Sequence, residues 1–323
     1  MTRAVMLQKT GGPDVLTLGS IELPAPGPGE VRVRHTAVGV NFIDTYHRSG
    51  LYPLPLPAVP GVEAAGIIEE RGPGVELAVG TRVAYALAGH GAYADARVMP
   101  AERLVPLPSS ISDEVAAAAL LKGMTAEYLV RRTYAVTSGD TVLLHAAAGG
   151  VGLIASQWLH ALGARVIGVV GNLEKAKLAR EHGCDEILLS GHDDIPRRVR
   201  ELTSGRGVRV VYDSVGKSTF MTSLDCLAPR GLFVSYGNAS GKPDPFDPLL
   251  LSAKGSVFLT RPTLADYVRT RAELLTSANA LFEMIAHGAL RILIGRRFPL
   301  ASAPDAHRAL ESRTTMGSTL LTL

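Results

Sequence analysis

The chain has 323 residues, of which 34 are glycine, 20 proline and only two cysteine, and 46% are hydrophobic. A chain of this length buries about three-quarters of its unfolded surface, enough for about two domains. Two cysteines exclude a disulfide framework and a zinc site built on clustered thiolates. The net charge is +3 and the charged residues are scattered, so the chain shows no basic patch typical of nucleic-acid binding. Because no apolar run reaches the roughly 18 residues of a membrane span, we expect a cytoplasmic globular protein.

The N-terminal third of the chain predicts short strands separated by glycine and proline turns. These predicted strands are Ala4–Leu7, Leu16–Ile21, Val31–Val40, Ala64–Glu70, Arg82–Ala86 and Tyr93–Met99. Many short strands at roughly 8–12-residue spacing are typical of a small β-barrel or sandwich.

Helices begin to alternate with strands after Ser112, a predicted N-cap. The predicted strands are Val142–Ala146, Arg165–Val170, Glu186–Leu189, Val208–Tyr212, Gly231–Tyr236 and Ser256–Leu259, and the helices between them are Val151–Leu162, Leu173–His182, Ile195–Thr203 and Phe220–Leu227. This alternation predicts a parallel sheet covered on both faces, and therefore an α/β fold. The C-terminal part returns to helices, Tyr267–Gly288 and Pro304–Arg313, before a last strand, Thr319–Leu323.

A glycine-rich turn, Thr141–Gly152, runs from a predicted strand into a predicted helix. Against the dinucleotide pattern G-x-G-x-x-G, Ala147 stands at the first position, and Gly149 and Gly152 stand at the second and third. Glycine at the second position lets the backbone approach a pyrophosphate, and the helix N-terminus supplies N–H groups to the anion. A tight turn in an ordinary α/β domain is the alternative, but the context favours nucleotide binding.

The residues after the second strand of this unit favour a phosphorylated dinucleotide. NAD-binding units place a carboxylate about 20 residues on, where it accepts from the ribose hydroxyls. Here the strand ends in Gly171 and Asn172, and Lys175 follows. The missing carboxylate and the nearby lysine favour NADPH over NADH, although Lys175 also fits an ordinary exposed helix position.

Motifs spread from end to end resemble one known family. They are Val40–Tyr46, Arg48–Tyr52, Pro60–Gly66, Lys122–Thr125, Ala146–Gly152, Tyr212–Gly216, Thr260–Pro262 and Leu310–Arg313. Together they resemble the zinc-independent, zeta-crystallin-like NADPH:quinone oxidoreductases of the medium-chain dehydrogenase/reductase superfamily. The resemblance implies a discontinuous GroES-like β-barrel catalytic domain, residues 1–122 and 264–323, and a Rossmann domain with a doubly wound parallel sheet, residues 123–263.

The resemblance also bears on zinc. Zinc alcohol dehydrogenases of this superfamily carry a cysteine where this chain has Asn41, and a Gly-His-Glu segment where it has Gly61, Val62 and Glu63. A catalytic zinc needs three protein ligands, and these exchanges leave too few. We therefore expect no metal, and we expect each of the nine histidines to be a surface or helix residue.

Without zinc, hydride transfer to a conjugated acceptor is the favoured chemistry, because charge spreads over a quinone or an enone. By resemblance, Asn41 and Tyr46 donate hydrogen bonds to the acceptor oxygen or position the nicotinamide, and Tyr52 lines an apolar slot. For Asp44 we expect a capping or backbone-orienting role. A tyrosine among glycines and prolines could equally be a packing residue, so structural roles stay open in this loop.

The resemblance implies cofactor-binding residues in the glycine-rich turn, at strand ends, in the linking helix and near the C-terminus. They are Thr125, Tyr128, Ala148, Gly149, Gly150, Val151, Gly152, Asn172, Lys175, Ser190, Ser214, Asn238, Ser240, Thr260, Arg261 and Arg313. Ser190 stands where family members often place a tyrosine against the adenosine phosphate. That exchange weakens the preference for NADPH and leaves Lys175 as its main support.

We therefore expect an NADPH-dependent quinone reductase that uses neither metal nor flavin. Two alternatives remain open: a reductase of α,β-unsaturated carbonyls such as enones and alkenals, and a non-catalytic NADPH-binding protein. The apolar segment Phe246–Leu259 at an expected sheet edge favours a homodimer. The sequence leaves open which quinone is reduced and whether one or two electrons leave with each acceptor.

Overall fold

The computed structural model describes all 323 residues, and they divide into two compact units. The first unit comprises Met1–Met124, Val268–Ala286 and Ile292–Leu323, and the second comprises Thr125–Tyr267 and His287–Arg291. The chain therefore passes from the first unit into the second at Thr125, returns at Val268, and crosses briefly into the second again at His287–Arg291 before ending in the first.

The strands are β1 (Thr2–Leu7), β2 (Leu16–Ile21), β3 (Glu30–Val40), β4 (Glu63–Arg71), β5 (Arg82–Ala86), β6 (Ala96–Pro100), β7 (Val105–Pro106), β8 (Thr141–His145), β9 (Arg165–Val170), β10 (Glu186–Leu189), β11 (Val208–Asp213), β12 (Leu227–Ser235), β13 (Phe258–Thr260), β14 (Ile294–Pro299) and β15 (Ser318–Thr322). The α-helices are α1 (Phe42–Ser49), α2 (Asp113–Tyr128), α3 (Gly150–Ala161), α4 (Leu173–Glu181), α5 (Ile195–Leu202), α6 (Phe220–Cys226), α7 (Leu249–Ala253), α8 (Leu264–Tyr267), α9 (Arg271–Ala286) and α10 (Ala303–Glu311). No helix combines the length and the hydropathy that a membrane span requires.

The first unit contains a largely antiparallel sheet in the order β14-β15-β3-β4-β5-β7, with β6 paired to β3. Strand β3 alternates along much of its length, so that Val31 and Val33 are buried and Arg32 and Arg34 face outward. These buried faces join a core that includes Ile68. Ser112 caps the start of α2 as predicted, since its Oγ accepts a hydrogen bond from the Val115 N–H at 3.2 Å.

The second unit contains a six-stranded, all-parallel sheet in the order β10-β9-β8-β11-β12-β13. Its central strands are continuous apolar runs because helices cover both faces; Val142, Leu143 and Leu144 of β8 are fully buried. The strand order reverses between β8 and β11, which is where doubly wound sheets open a ligand crevice. The predicted α/β class with a doubly wound parallel sheet is confirmed.

Among the differences between the predicted and observed strands, two starting points have a clear local cause. The strand predicted from Tyr93 begins only at Ala96, because Tyr93 and Ala94 bond instead to the β1 strand, where the Val5 N–H donates to the Tyr93 carbonyl at 2.8 Å. The strand predicted from Ser256 begins at Phe258, because Ser256 has a left-handed φ of 55° that a strand does not allow.

The prediction that every histidine is a surface or helix residue is wrong for two of them. His35 lies on β3 and His145 on β8, and both are buried. Each is satisfied there: His35 Nδ1 lies 2.7 Å from the Ala94 carbonyl oxygen, and His145 Nε2 lies 3.1 Å from Ser223 Oγ.

Gly39 on β3 gives a test of packing in the first unit. A Cβ at this position would lie 2.3 Å from Glu63 Oε2 and 2.4 Å from the Ala117 carbonyl oxygen. We expect Gly39→Ala to lower the free energy of unfolding by about 1–3 kcal/mol, measured by urea denaturation. The control is Gly12→Ala, where a Cβ meets nothing within 4 Å and φ is an ordinary −68°. Equal stability of the two variants would contradict this account.

Candidate functional site

In the first unit, Asn41 lies at the junction between β3 and α1. It is the N-cap residue of α1, with extended φ and ψ, and only 5% of its surface is exposed. Its backbone N–H donates to Asp44 Oδ2 at 2.8 Å, and its backbone carbonyl accepts from the Asp44 N–H at 3.0 Å. Asp44 therefore fixes the backbone at Asn41.

A buried carboxylate holds the other end of the Asn41 side chain. Asn41 Nδ2 donates to Glu63 Oε2 at 2.9 Å, and Lys122 Nζ lies 3.0 Å from the same oxygen. The second carboxylate oxygen, Oε1, accepts from the Leu121 N–H at 2.6 Å. Glu63 and Lys122 stood in the quoted motifs, but no role in the site was predicted for either of them.

Aromatic rings follow Asn41 along α1 and the next turn. Tyr46 and Tyr52 pack edge to face with ring centroids 5.2 Å apart, and Tyr46 also contacts the ring of Phe42 at 6.3 Å. The imidazoles of His47 and His90 pack edge to face at 4.4 Å, and His47 lies 6.0 Å from Tyr52. The structure thus brings Tyr46 and Tyr52 together in one aromatic cluster that begins one residue after Asn41.

Asp44 begins a buried hydrogen-bonded chain. Its Oδ2 accepts from the Tyr93 hydroxyl at 3.1 Å, and the Tyr93 oxygen lies 2.9 Å from His307 Nε2. Arg48 Nη1 lies 3.3 Å from His307 Nδ1 and donates to Glu311 Oε2 at 2.9 Å. Burial raises the pKa of Asp44 to about 7 and lowers the pKa of His307 to about 3. Asp44 orients the backbone, as predicted, and also joins the C-terminal helix α10 to α1.

In the second unit, the glycine-rich turn is tightly packed. Ala146 has a left-handed φ of 53°, and its carbonyl oxygen accepts from the Gly149 N–H at 2.9 Å. Helix α3 begins at Gly150. A Cβ at Gly152 would lie 2.3 Å from the Ala146 carbonyl oxygen, so only glycine fits there. The turn holds the N-terminus of a 12-residue helix at the end of β8, an arrangement that binds phosphate groups.

The ends of β9 and β10 carry the predicted adenosine-side residues. Asn172 is the N-cap of α4, and its Oδ1 accepts from the Lys175 backbone N–H at 2.9 Å. Ser190 is exposed and follows β10, and its N–H donates to the Val170 carbonyl at 2.8 Å. Because β9 and β10 are neighbours in the sheet, these residues lie at one edge of the same unit.

The remaining predicted cofactor residues lie after β11, β12 and β13, in α2 and after α10. Ser214 and Ser240 belong to linked loops, because Ser240 Oγ donates to the Val215 carbonyl at 2.8 Å and the Ala239 N–H donates to the Ser214 carbonyl at 3.2 Å. Asn238 is buried after β12, Thr260 ends β13, and Arg261 follows it. Thr125 is buried in α2, and the Tyr128 ring at the end of α2 stacks on Tyr267 with centroids 4.3 Å apart. Arg313 follows α10 in the first unit. The functional roles of all these residues stay predictions.

Comparison with known proteins identifies the class. Residues 27–109 match the family described as the alcohol dehydrogenase GroES-like domain, and residues 150–283 match the family described as zinc-binding dehydrogenase. Quinone oxidoreductase of Pseudomonas aeruginosa is 52% identical, with 99% of each chain covered. The crystal structure of Escherichia coli quinone oxidoreductase complexed with NADPH superimposes with a TM-score of 0.98 at 46% identity, covering 99% of this chain and 100% of that one.

A third relative, 2-haloacrylate reductase of a Burkholderia species, is 46% identical over 99% of each chain. The fold and the two matched domains define a medium-chain dehydrogenase/reductase. Within that superfamily, the chain belongs to the quinone oxidoreductase family, as the resemblance of its motifs indicated. In the structure, no group of three or more His, Cys, Asp or Glu side chains is placed to hold a metal ion.

The buried Asp44 gives a pH-dependent prediction. Its pKa is about 7 in the folded protein and about 4 in the unfolded chain, so between these values the unfolded state releases a proton that the folded state keeps. Stability from this group is therefore lost as pH rises from 4 to 7. We expect the unfolding free energy of Asp44→Asn minus that of the wild type to increase over this range by up to about 4 kcal/mol. Urea denaturation at several pH values measures it, and a difference that does not change with pH would contradict it.

Proposed function

We propose that this protein is an NADPH-dependent quinone reductase that transfers hydride directly to its acceptor and requires neither metal nor flavin. The quinone oxidoreductase relatives and the NADPH complex of one of them support the reaction and the cofactor. The observation that carries the proposal is the Asn41 side chain, a buried amide fixed at the head of an aromatic cluster. Asn41 and Val62 stand where zinc-dependent members of the superfamily have metal ligands, which supports a reaction without metal.

The residues of the second unit fit the cofactor. A Cβ at Gly149 or Gly152 would lie 3.2 or 2.3 Å from the Ala146 carbonyl oxygen, so glycine keeps the turn tight. The α3 N-terminus then presents its N–H groups to a pyrophosphate. Asn172 stands at the strand end where NAD-binding units have a carboxylate, and Lys175 lies in the first turn of α4 next to Glu174. We propose that Asn172, Lys175 and Ser190 bind the 2′-phosphate, and that the other predicted cofactor residues line the carboxyl edge of the sheet and the approach to it.

When bound, NADPH supplies the hydride. Asn41 donates a hydrogen bond to the acceptor oxygen, which gains negative charge as the acceptor is reduced. Tyr46 and Tyr52 present flat apolar faces to a planar acceptor and keep water from its ring. The protein's contribution is therefore orientation and a fixed hydrogen-bond donor, which a conjugated acceptor needs more than it needs a Lewis acid.

A second acceptor class has support of its own. The relative named 2-haloacrylate reductase is as similar to this chain as several quinone oxidoreductases are. A conjugated carbonyl compound offers the same geometry as a quinone: a flat π system with an oxygen that accumulates charge. We propose α,β-unsaturated carbonyls as alternative acceptors of the same site.

We also propose a homodimer, a cytoplasmic location, and domain boundaries at residues 1–122 with 264–323 and at 123–263. The edge strand β13 and the segment before it expose Phe258, Leu249 and Phe246, at 62%, 72% and 38%, which supports edge pairing with a second copy. Two buried free thiols, Cys184 and Cys226, support a reducing compartment. The two compact units of the chain support the domain division.

Oxidation of NADPH tests the proposed reaction. We expect the loss of NADPH absorbance when a small p-benzoquinone or naphthoquinone is added, and slower or comparable loss with an enone. No oxidation with any quinone would contradict the proposal. Oxidation with enones alone would favour the alternative acceptors, and NADPH binding without any turnover would favour a non-catalytic binding protein.

Lys175 and Lys177 form a matched pair for testing cofactor choice. Both lie on α4, but Lys177 is 81% exposed and pairs only weakly with Glu181, at 4.0 Å. We expect Lys175→Ala to raise the Kd for NADPH about 10- to 100-fold, as the loss of a charge-assisted phosphate contact does, and to leave the Kd for NADH unchanged. Lys177→Ala should change neither. Equal weakening of both cofactors by Lys175→Ala would contradict a 2′-phosphate contact.

A further inference from the structure

The Glu63 carboxylate is fully buried and fully hydrogen-bonded, although packing of strand β4 does not require a charged residue at this position. None of its surface is exposed, and its two oxygens accept from the Asn41 amide, the Lys122 ammonium and the Leu121 backbone N–H. Burying a charge costs free energy unless it is paired and fully hydrogen-bonded. Strand β3 also keeps a glycine, Gly39, where any Cβ would displace this carboxylate. The chain therefore maintains a charged acceptor at this point.

The consequence is the orientation of the Asn41 amide. An ionised carboxylate only accepts hydrogen bonds, so its contact at 2.9 Å turns the amide nitrogen of Asn41 toward Glu63. The Asp44 N–H donates to the backbone carbonyl of Asn41 at 3.0 Å, so the Asn41 backbone is held independently of its side-chain amide. With one N–H of Nδ2 given to Glu63, the amide has its second N–H to offer to an acceptor.

We propose that Glu63 is a positioning residue that holds the Asn41 amide with an N–H directed at the acceptor, and that Lys122 keeps Glu63 in the charged, accept-only form. This inference rests on the proposed function, in which Asn41 contacts the acceptor oxygen. A carbonyl oxygen accepts hydrogen bonds and becomes more negative during reduction, so a donor stabilises the product-like state. An amide turned by half a rotation would present its own oxygen and repel that charge.

The direct experiment replaces the ion pair as a unit, with Glu63→Gln and Lys122→Met together. A single Glu63→Gln would leave an unpaired ammonium in the interior and endanger folding, whereas the double change removes both charges. A glutamine can donate or accept, so it no longer selects one orientation of the Asn41 amide. We expect kcat for quinone reduction to fall about 10- to 100-fold, with the Kd for NADPH unchanged.

Repeating the double change in the Asn41→Ala variant separates a role through Asn41 from a general loss of structure. If Glu63 acts through Asn41, the same pair of changes introduced into Asn41→Ala should lower kcat by no more than about twofold further. Asp113→Asn serves as the control, because it removes an ion pair with Arg82, 2.6 Å away, at the start of the same helix α2. It should leave kcat within about twofold of the wild type.

Glu63→Asp keeps the test decisive if the double change fails to fold. It retains the charge beside Lys122 but withdraws the carboxylate from Asn41, and we expect the same fall in kcat. Wild-type kcat in either variant, or losses that multiply fully in the Asn41→Ala background, would overturn the inference. Failure of the wild type to oxidise NADPH with any quinone is a separate result, and it would overturn the proposed function instead.

Discussion

The first unit is organised around one buried ion pair, Glu63 with Lys122. It joins strand β4 to helix α2 across 59 positions of sequence, and the Glu63 carboxylate also accepts from the Asn41 amide at the end of β3. A charge pair in the interior is worth little to stability unless its hydrogen bonds are complete. The need for complete hydrogen bonding constrains the neighbouring residues. Strand β3 must carry glycine at position 39, and the Asn41 amide at the start of α1 must lie against the carboxylate.

From that fixed point the rest of the candidate site follows along α1. The capping residue Asn41 sets the direction of the helix, and the helix places Tyr46 where it packs on Tyr52. Asp44 extends the polar network the other way, through Tyr93 to His307 on α10, so that the returning C-terminal segment is tied to the same helix. The second unit needs no such charge, because its turn and helix termini come from glycines and backbone N–H groups.

The sequence alone predicted those features that depend on neighbours in the chain. The glycine-rich turn, the N-cap Ser112 and the alternating strands and helices are local signals, and they predicted the parallel sheet covered on both faces. The hydrogen-bond partners of Glu63, His35 and His145 could not be predicted, because each depends on atoms brought together by the tertiary fold. His35, for example, is satisfied by the Tyr85 hydroxyl, 2.9 Å from its Nε2 on a neighbouring part of the sheet. Strand alternation shows that position 35 faces inward but does not supply its partner.

The central claim is that Glu63 carries a negative charge in the folded protein and accepts from Asn41. Infrared difference spectroscopy of the wild type against the Glu63→Gln, Lys122→Met protein, both saturated with NADPH at neutral pH, reports the protonation of that single side chain. We expect the wild type to contribute a carboxylate stretching band that the variant lacks. A protonated carboxyl band from Glu63 at neutral pH would contradict it, because a carboxylic acid can donate a hydrogen bond and would not hold the Asn41 amide in one orientation.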